Sequence, residues 1–451
     1  MAAPRNPPPV FESEYTLPDT ETPLPNFRTP TENYLALGLY AAALVSAVLA
    51  VHYYRSRRAV FLLAVGSVVV FGFVLQGCPC PVGSLQNTIP VFFESIGTGV
   101  EWIWNTLRGI PTEQDSQTVP PGATLSGTTI SGTTGLISVT AVLLFSLPLL
   151  VALFYGRVFC GAVCPLGAVQ ELVAIKPLRL PAWIDDGLGT LRFVFLGLGV
   201  LFAQVGLWFL ICRFDPFVGL FRMSGFFSIL VFGFAILLLG LIVARPFCRF
   251  LCPYGALLGL CGSLAAKKVS VTPGECSKCR LCEEICPVNA IRPPTTDPTP
   301  EERFIGPLRL LILFLAAPLI VVALTGIAAR LLPGPLASMH PDVRLAERVL
   351  AEDSRLVDTT GYFAETKAFQ ITGQTNESLY RRAESVYGRM RHAAVFFGAW
   401  CGIVFAVKLI SLGMRRRRTD YRVDPGRCVA CGRCFWYCPN QKEKRVLLDV
   451  R

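Results

Sequence analysis

The chain has 451 residues, of which 52% are hydrophobic and 16% charged, with a mean hydropathy of +0.51 and a net charge of +11. Soluble domains average about 25% charged residues, so this composition argues against a soluble protein and favours helices that cross a bilayer. The basic excess does not indicate nucleic-acid binding, because Lys and Arg cluster beside apolar runs, as on the cytoplasmic side of membrane proteins.

The apolar runs predict a bundle of membrane helices. Residues 1–32 are Pro-rich and polar, lack the apolar core of a signal peptide and are predicted to form a disordered arm. Beyond them, seven apolar runs each approach the ~20 residues that cross ~30 Å of hydrocarbon. The predicted spans are 33–53, 59–77, 136–155, 188–211, 226–244, 308–330 and 393–413.

Basic residues orient these spans. Arg55, Arg57 and Arg58 place the tip of the first membrane hairpin in the cytoplasm and the N-terminus outside, because cytoplasmic loops are rich in Lys and Arg. The topology predicts a multi-pass protein of the inner (cytoplasmic) membrane. Its predicted inside segments are 156–187, 245–303 and 415–451, and its outside segments are 78–135, 212–225 and 331–392.

Two outside segments carry local signals. Glu101–Ile110 contains two tryptophans and predicts an interfacial helix, and 343–392 has the apolar spacing of a small helical subdomain. Cys78 and Cys80 lie in a Cys-Pro-Cys-Pro run that resembles a cysteine motif further along the chain. This run is interpreted either as a third redox site, facing the outer surface, or as a turn with two incidental thiols.

A twelve-residue motif occurs twice, as RVFCGAVCPLGA at 157–168 and as RPFCRFLCPYGA at 245–256, with seven identical positions. Its cysteines are Cys160 and Cys164 in the first copy and Cys248 and Cys252 in the second. Cysteines four residues apart share one helical face, so two copies brought together offer four soft thiolates for Fe–S, Zn or Cu(I). The alternative is that these cysteines are reduced and simply packed at helix ends.

Two further runs have the spacing C-x2-C-x2-C-x3-C-P, which is the ligand pattern of bacterial [4Fe–4S] ferredoxins. The first run contains Cys276, Cys279, Cys282 and Cys286, and the second contains Cys428, Cys431, Cys434 and Cys438. Structural zinc is the alternative, but zinc sites usually show two separate cysteine pairs. The spacing therefore predicts two [4Fe–4S] clusters.

Two predicted spans separate these runs and return both to the cytoplasmic face. Because the fourth cysteine of each run ligates the other cluster in two-cluster ferredoxins, the predicted ligand sets mix the runs. One set is Cys276, Cys279, Cys282 and Cys438, and the other is Cys428, Cys431, Cys434 and Cys286.

The predicted fold class is mainly α: a polytopic transmembrane helical bundle with a cytoplasmic two-cluster ferredoxin-like (α+β) domain that a membrane hairpin splits. The predicted units are the disordered arm 1–32, a membrane hairpin 33–77, an outer loop 78–135, a membrane core 136–270, a first ferredoxin half 271–303, a second hairpin 304–413 with its outer helical loop 331–392, and a second ferredoxin half 414–451.

Two R-x-F-C-x3-C-P-x-G-A repeats followed by a two-cluster ferredoxin pattern resemble the NosR/NapH-type family of membrane iron–sulfur proteins. Asp215–Phe217, which reads Asp-Pro-Phe, is also similar to that family, and the resemblance covers about 136–290 and 425–439. It implies electron transfer between the quinone pool or a cytoplasmic donor and a periplasmic reductase system, with a membrane partner. The chain departs from the family pattern in its N-terminal hairpin, its split ferredoxin motif and its lack of an outer flavin domain.

These observations predict an electron-transfer subunit of an oxidoreductase complex, with the lipid bilayer and redox proteins as its partners. Crossing ~30 Å of lipid needs a further carrier, which Cys78 and Cys80, a quinone or a partner subunit could provide. Two alternatives stay open. One is a metal (cupric) reductase that uses the C-x3-C-P thiolates, since some relatives act in copper handling, and the other is a redox-sensing assembly or regulatory factor.

Overall fold

Helices dominate the structure, a computed structural model of the chain. It describes residues 30–77, 83–85, 88, 134–174, 178–205, 211, 215–222, 227–271, 278–295, 300–353, 364–414 and 418–439. The predicted interfacial helix, nearly all of the N-terminal arm and of the outer loop 78–135, and three candidate ligands, Cys78, Cys80 and Cys276, lie outside the described residues.

The helices and strands are numbered in chain order. They are α1 (Pro30–Val48), α2 (Arg57–Ser67), α3 (Thr134–Tyr155), α4 (Val158–Ala162), α5 (Pro165–Val173), α6 (Ala182–Val205), α7 (Pro216–Arg222), α8 (Phe227–Ile242), α9 (Pro253–Ser263), α10 (Leu281–Ile285), β1 (Ile291–Arg292), α11 (Pro300–Leu331), α12 (Pro333–Ala337), α13 (Pro341–Asp353), α14 (Ala364–Ile371), α15 (Asn376–Gly413), β2 (Arg422–Val423) and α16 (Arg433–Tyr437). Three π-helical segments, Leu49–Tyr53, Val68–Val74 and Phe247–Leu251, follow α1 and α2 and precede α9.

Apolar helices occur where the sequence predicts spans. Within the described residues, five are long and apolar enough to cross a membrane, and two more apolar helices are shorter. The chain is therefore a helical membrane protein, while the count of seven spans stays a prediction. The long helices are Thr31–Tyr53, Arg57–Val74, Ala182–Val205, Gly306–Leu331 and Asn376–Gly413, and the shorter ones are Val142–Tyr155 and Phe227–Ile242.

Helix α6 differs from its predicted span, because it begins at Ala182 rather than at residue 188. Its first turns contain Asp185 and Asp186, which hydropathy alone assigns to a loop. Both carboxylates are buried, at 3% and 8% exposure. They can be buried because Arg427 forms ion pairs with both of them, and these pairs offset the cost of removing each charge from water.

The two ferredoxin-type segments meet despite their separation in sequence. Strand β1 follows the first run and pairs antiparallel with β2, which precedes the second, with Ile291 opposite Val423. Helices α10 and α16, which lie within the two runs, also contact each other. The long helices α11 and α15 lie between them in sequence and carry the chain away and back.

The ends of these helices that lie away from the ferredoxin-type runs belong to a second hydrophobic core. Val343 of α13, Phe369 of α14 and the first half of α15 pack there against Phe202 at the end of α6. The larger core surrounds the C-x3-C-P repeats and includes residues from α1 to α9 together with the second ferredoxin-type loop. The candidate ligands therefore lie in and beside the larger of the two cores.

Small residues let α11 and α15 approach closely. A Cβ atom on Gly398 would lie 2.6 Å from the Cβ of Ala328 and 2.8 Å from the carbonyl oxygen of Leu324, and one on Gly402 would lie 2.6 Å from the Cα of Val321. Glycines spaced four apart are typical of close packing between membrane helices. This contact fixes the hairpin that returns the second ferredoxin-type run to the first.

Replacing Gly398 by leucine should force the hairpin helices apart. Overpacking of this kind costs about 1–3 kcal/mol, so we expect Gly398→Leu to lower the apparent melting temperature of the full-length protein in detergent. Gly388→Leu is the matched control, because it lies in the same helix and no atom lies within 4 Å of its added Cβ. Equal melting temperatures for the two variants would show that the contact does not hold the hairpin.

Candidate metal centres

Four cysteines from two distant segments line one small cavity. They are Cys286 from the first ferredoxin-type run and Cys428, Cys431 and Cys434 from the second. The sequence assigns these same four residues to one cluster. Most of the remaining lining is apolar, including Val288, so the sulfur atoms face a space that excludes most water.

Both ferredoxin-type loops have the same backbone twist. In the first loop Lys278 (φ 54°) and Arg280 (φ 64°) are left-handed, and in the second loop Ala430 (φ 54°) and Gly432 (φ 73°) are left-handed at the equivalent positions. Residues other than glycine rarely adopt this backbone conformation. Turns that contain such residues direct successive N–H groups into a concavity that favours an anion.

Backbone N–H groups donate to the sulfur atoms of this cavity. The N–H of Ala290 donates to Cys286 Sγ at 3.3 Å, and the N–H of Ala430 donates to Cys428. Burial raises the pKa of Cys428 to about 12, so without a metal this side chain is a neutral thiol at neutral pH. A metal cluster can replace the thiol proton, and the N–H donors then stabilise the thiolate.

The structure describes three of the four cysteines assigned to the other cluster, since Cys276 lies outside the described residues. Cys282 is buried within α10, Cys279 is exposed, and Cys438 caps the C-terminus of α16. Cys286 caps α10 in the equivalent way. The two runs therefore present their fourth cysteines from equivalent helix ends.

The four C-x3-C-P cysteines gather at a second place. Cys164 lies close enough to Cys160, Cys248 and Cys252 to interact electrostatically with all three. Burial raises the pKa of Cys248 to about 11 and those of Cys164 and Cys252 well above the ordinary thiol value. The internal repeat thus brings four sulfurs together, three of them from buried cysteines, from segments 88 positions apart.

The Cys-Pro pair of each repeat begins a helix. Cys164 is the N-cap of α5 and Cys252 the N-cap of α9, and each is followed by a proline in the first helical turn. Proline suits this position because the N–H that it lacks would have no helical partner. Cys252 Sγ accepts the N–H of Gly255 at 3.2 Å. The positive ends of two helices therefore face the sulfurs and favour negative charge there.

The glycine of each repeat allows its helix to approach the first cysteine. A Cβ on Gly167 would lie 2.7 Å from the carbonyl oxygen of Cys160, and one on Gly255 would lie 3.3 Å from that of Cys248. The phenylalanine and alanine shared by the two copies are buried in both. Packing around one four-sulfur site therefore explains why these residues occur in both copies of the motif.

Polar side chains also point at these sulfurs. Arg157 Nη2 donates to Cys160 Sγ at 3.7 Å and Gln170 Nε2 to Cys248 Sγ at 3.2 Å. Arg157 Nε and Arg245 Nη2 are buried and have no hydrogen-bond partner within the described part of the chain. A [4Fe–4S] cluster with four thiolates is an anion, so these donors and buried positive charges fit such a group.

Glu171 connects this site to the rest of the protein. Its side chain is 2% exposed, and its carboxylate pairs with Arg57 at 2.7 Å, Arg245 at 3.0 Å and Arg433 at 2.8 Å. Burial raises the pKa of Glu171, but the three guanidinium groups more than offset this effect, and its pKa lies below the ordinary value. The carboxylate is therefore charged and joins the first hairpin, both repeats and the second ferredoxin-type run.

The two sulfur sites touch through the backbone. A Cβ on Gly161 would overlap the carbonyl oxygen of Val429 in the second ferredoxin-type loop, so only glycine allows this approach. On the other side, Arg249 Nη1 donates to the carbonyl oxygen of Pro287 at 3.3 Å. Each copy of the repeat therefore contacts one of the ferredoxin-type runs.

Within the described ranges, no three Cys, His, Asp or Glu side chains are close enough together to hold one metal ion. A cubane fills the space between its four ligands and so needs a wider ring of sulfurs than a single zinc ion does.

Sequence reasoning missed the polar residues that surround these sulfurs. Gln170 and Glu171 follow the first repeat, where the second has Leu258 and Gly259, so the repeat itself does not mark them. The sequence feature that could have pointed to them is two polar residues next to an apolar run. Burying such polar groups in a membrane protein costs free energy unless they are paired. The pairing depends on arginines that are distant in sequence.

Two family descriptions match the sulfur-bearing segments. A 4Fe-4S binding domain (Fer4_5) matches residues 137–181 and 224–272, which contain the two C-x3-C-P repeats. A second 4Fe-4S binding domain (Fer4) matches residues 269–292 and 421–441, which contain the two ferredoxin-type runs. Both groups of cysteines thus fall within sequence patterns described as binding [4Fe–4S] clusters.

Curated relatives share the same part of the chain. Protein NirI of Paracoccus denitrificans is 32% identical over 173 residues, which are 36% of this chain and 25% of NirI. The putative electron transport protein YccM of Escherichia coli is 25% identical over 35% of this chain and 49% of its own length. The ferredoxin-type protein NapH of Haemophilus influenzae is 30% identical over 31% and 51%.

The chain thus spans a quarter to about half of the length of these curated relatives. No solved structure matches it.

Removing the negative charge of Glu171 should destabilise the whole assembly. Glu171→Gln leaves three arginines around a neutral amide, and breaking a buried ion pair costs about 3–5 kcal/mol. We expect a large fall in the apparent melting temperature in detergent at neutral pH.

The matched control is Glu377→Gln, which breaks the ion pair between Glu377 and Arg381 on the surface of α15, where both side chains are mostly exposed. Such pairs contribute about 0.3–0.5 kcal/mol, so this variant should melt close to the wild type. A Glu171→Gln protein that is as stable as the control would contradict the role assigned to Glu171.

Proposed function

We propose that the chain is an iron–sulfur electron-transfer protein that links a cytoplasmic donor or the quinone pool to a membrane or periplasmic partner. The proposal starts from its similarity to membrane 4Fe–4S proteins of the NosR/NapH type. The observation that carries this proposal is the meeting of Cys286 with Cys428, Cys431 and Cys434 around one cavity. When bound, [4Fe–4S] clusters supply one-electron transfer.

The proposed ligands form three groups. Two clusters would be held by the ferredoxin-type cysteines, with Cys286 and Cys438 exchanged between the runs, and a third by the C-x3-C-P cysteines. The buried thiols, the N–H donors to sulfur and the helix N-termini at Cys164 and Cys252 support this assignment. Burial would also keep water from the ligands, and solvent exposure is one of the factors that set cluster potentials.

The contacts between the sulfur sites support a single conducting unit. Gly161 packs against the loop that carries Cys428 and Cys431, and Arg245, which pairs with Glu171, donates to the Cys160 carbonyl oxygen at 2.7 Å. Glu171 and the arginines around it would fix the distance between the ferredoxin-type domain and the C-x3-C-P site. A fixed short distance is what repeated electron transfer between the two requires.

The proposed orientation places these sites at the cytoplasmic face of the inner membrane. Basic residues support it, because Arg55, Arg57 and Arg58 and the basic run 415–418 directly adjoin apolar segments in the sequence, as cytoplasmic residues of membrane proteins do. The carrier that completes the path across the membrane would be a quinone, a partner subunit or the Cys78 and Cys80 pair.

Metal analysis of anaerobically purified full-length protein tests the proposal. Two cubanes contribute about eight iron atoms and as many sulfides, and a third adds about four more. We expect Cys434→Ser and Cys248→Ser each to lose about four irons, and the double variant to lose about eight. Cys401→Ser is the control, because Cys401 lies in α15, lines neither cavity and has no electrostatic interaction with another described cysteine, and it should keep the full iron content.

Other outcomes would contradict parts of this assignment. Zinc without iron in the wild type would exclude the electron-transfer function. Copper in place of iron, lost specifically in Cys248→Ser, would instead favour a metal reductase at the C-x3-C-P cysteines and leave the ferredoxin-type clusters in place.

A further inference from the structure

A cavity of about 350 Å³ lies beside the C-x3-C-P site, between α6, α15 and the second ferredoxin-type loop. Cys248 lines this cavity. One of its walls is apolar and is formed by Trp400, Ile403 and Val407 of α15. Ile403 and Val407 are also 50% and 60% exposed on the surface of a helix long and apolar enough to span the membrane. Two residues of the apolar wall therefore also belong to the exposed apolar surface of this helix, where lipid would lie.

The polar lining carries an excess of positive charge. Two carboxylates, Asp185 and Asp424, face six cationic side chains. Both carboxylates are already engaged by Arg427. The cationic residues are Arg157, Arg192, Arg245, Arg249, Lys408 and Arg427.

Most of these cations have a carboxylate partner, but Arg192 and Arg157 have none within the described residues. Arg245 pairs with Glu171, Arg249 with Asp185, and Lys408 with Asp186. Arg192 forms no ion pair and its buried Nε has no hydrogen-bond partner in the described part of the chain. It is repelled by Arg157 and Arg427 and attracted by Asp424, which Arg427 already engages.

The internal repeat explains why a carboxylate is missing here. In the first copy Glu171 supplies a carboxylate to Arg245, but the equivalent position in the second copy is Gly259. The guanidinium of Arg192 lies against that glycine, 3.5 Å from where its Cβ would stand. Arg157, the repeat counterpart of Arg245, therefore lacks the carboxylate that its counterpart has.

We propose that this cavity binds the head group of an anionic phospholipid, with Arg192 as its phosphate-binding group and the α15 wall along its acyl chain. A charge in a membrane helix is costly unless it is paired, and a phosphate supplies the missing counter-charge through charge-assisted hydrogen bonds. A neutral carbonyl compound, such as a quinone, would accept a hydrogen bond but leave the positive charge uncompensated.

Native mass spectrometry of the full-length protein tests this site. The protein is exchanged into detergent that contains phosphatidylglycerol or phosphatidylcholine, and the lipid that remains bound is counted. We expect the wild type to retain phosphatidylglycerol and not phosphatidylcholine. Arg192→Gln should bind phosphatidylglycerol on the order of tenfold more weakly, as expected for loss of a charged hydrogen bond, while Arg192→Lys should retain most of it.

Arg309→Gln is the matched control, because Arg309 is an exposed arginine in the spanning helix α11 and does not line the cavity. It should bind lipid like the wild type. Iron content, measured on each variant, shows whether the fold is kept. If Arg192→Gln does not fold, Val407→Trp, which fills the apolar side, should reduce lipid retention at unchanged iron content.

Three results would overturn the proposal. They are equal retention of phosphatidylglycerol by Arg192→Gln and the wild type, displacement of the lipid by inorganic phosphate at the same concentration, and displacement by a short-chain ubiquinone. The second would assign the site to a free anion and the third to a neutral redox molecule. None of these results depends on whether the protein transfers electrons.

Discussion

The carboxylate of Glu171 is held by Arg57, Arg245 and Arg433, which come from the first membrane hairpin, the second C-x3-C-P repeat and the second ferredoxin-type run. A buried carboxylate is stable only when its charge is compensated, and each arginine is likewise compensated by it. The four segments therefore depend on one another. The relative positions of both sulfur sites follow from this ion-pair cluster.

Buried charges are compensated in the same way around the sulfurs. Asp185 and Asp186 neutralise Arg249, Arg427 and Lys408 at the start of α6, while helix N-termini and backbone N–H groups surround the cysteines. Positive charge and hydrogen-bond donors are concentrated where thiolates would carry negative charge. Arg192, which has no ion pair and no hydrogen-bond partner for its buried Nε among the residues that the structure describes, is the reason for proposing a bound lipid.

The sequence predicted the parts of this arrangement that depend on spacing. The ferredoxin-type pattern predicts that Cys286 joins the ligands of the other run; these four cysteines line one cavity, and their role as ligands of one cluster stays a prediction. The predicted resemblance to iron–sulfur membrane proteins agrees with the similarity to NirI and NapH and with the 4Fe-4S binding domains that match the sulfur-bearing segments. Glu171 and the early start of α6 could not be predicted, because burial of Glu171 and Asp185 depends on arginines that only the tertiary structure brings near.

The split ferredoxin-type domain is the central claim, and EPR spectroscopy of reduced cysteine variants tests it most directly. If Cys286 completes the cluster of the second run, Cys286→Ser should alter the same signal as Cys431→Ser and leave unchanged the signal that Cys279→Ser alters. If Cys286→Ser and Cys279→Ser instead alter one signal together, each run binds its own cluster and the exchange of ligands across the membrane hairpin is contradicted.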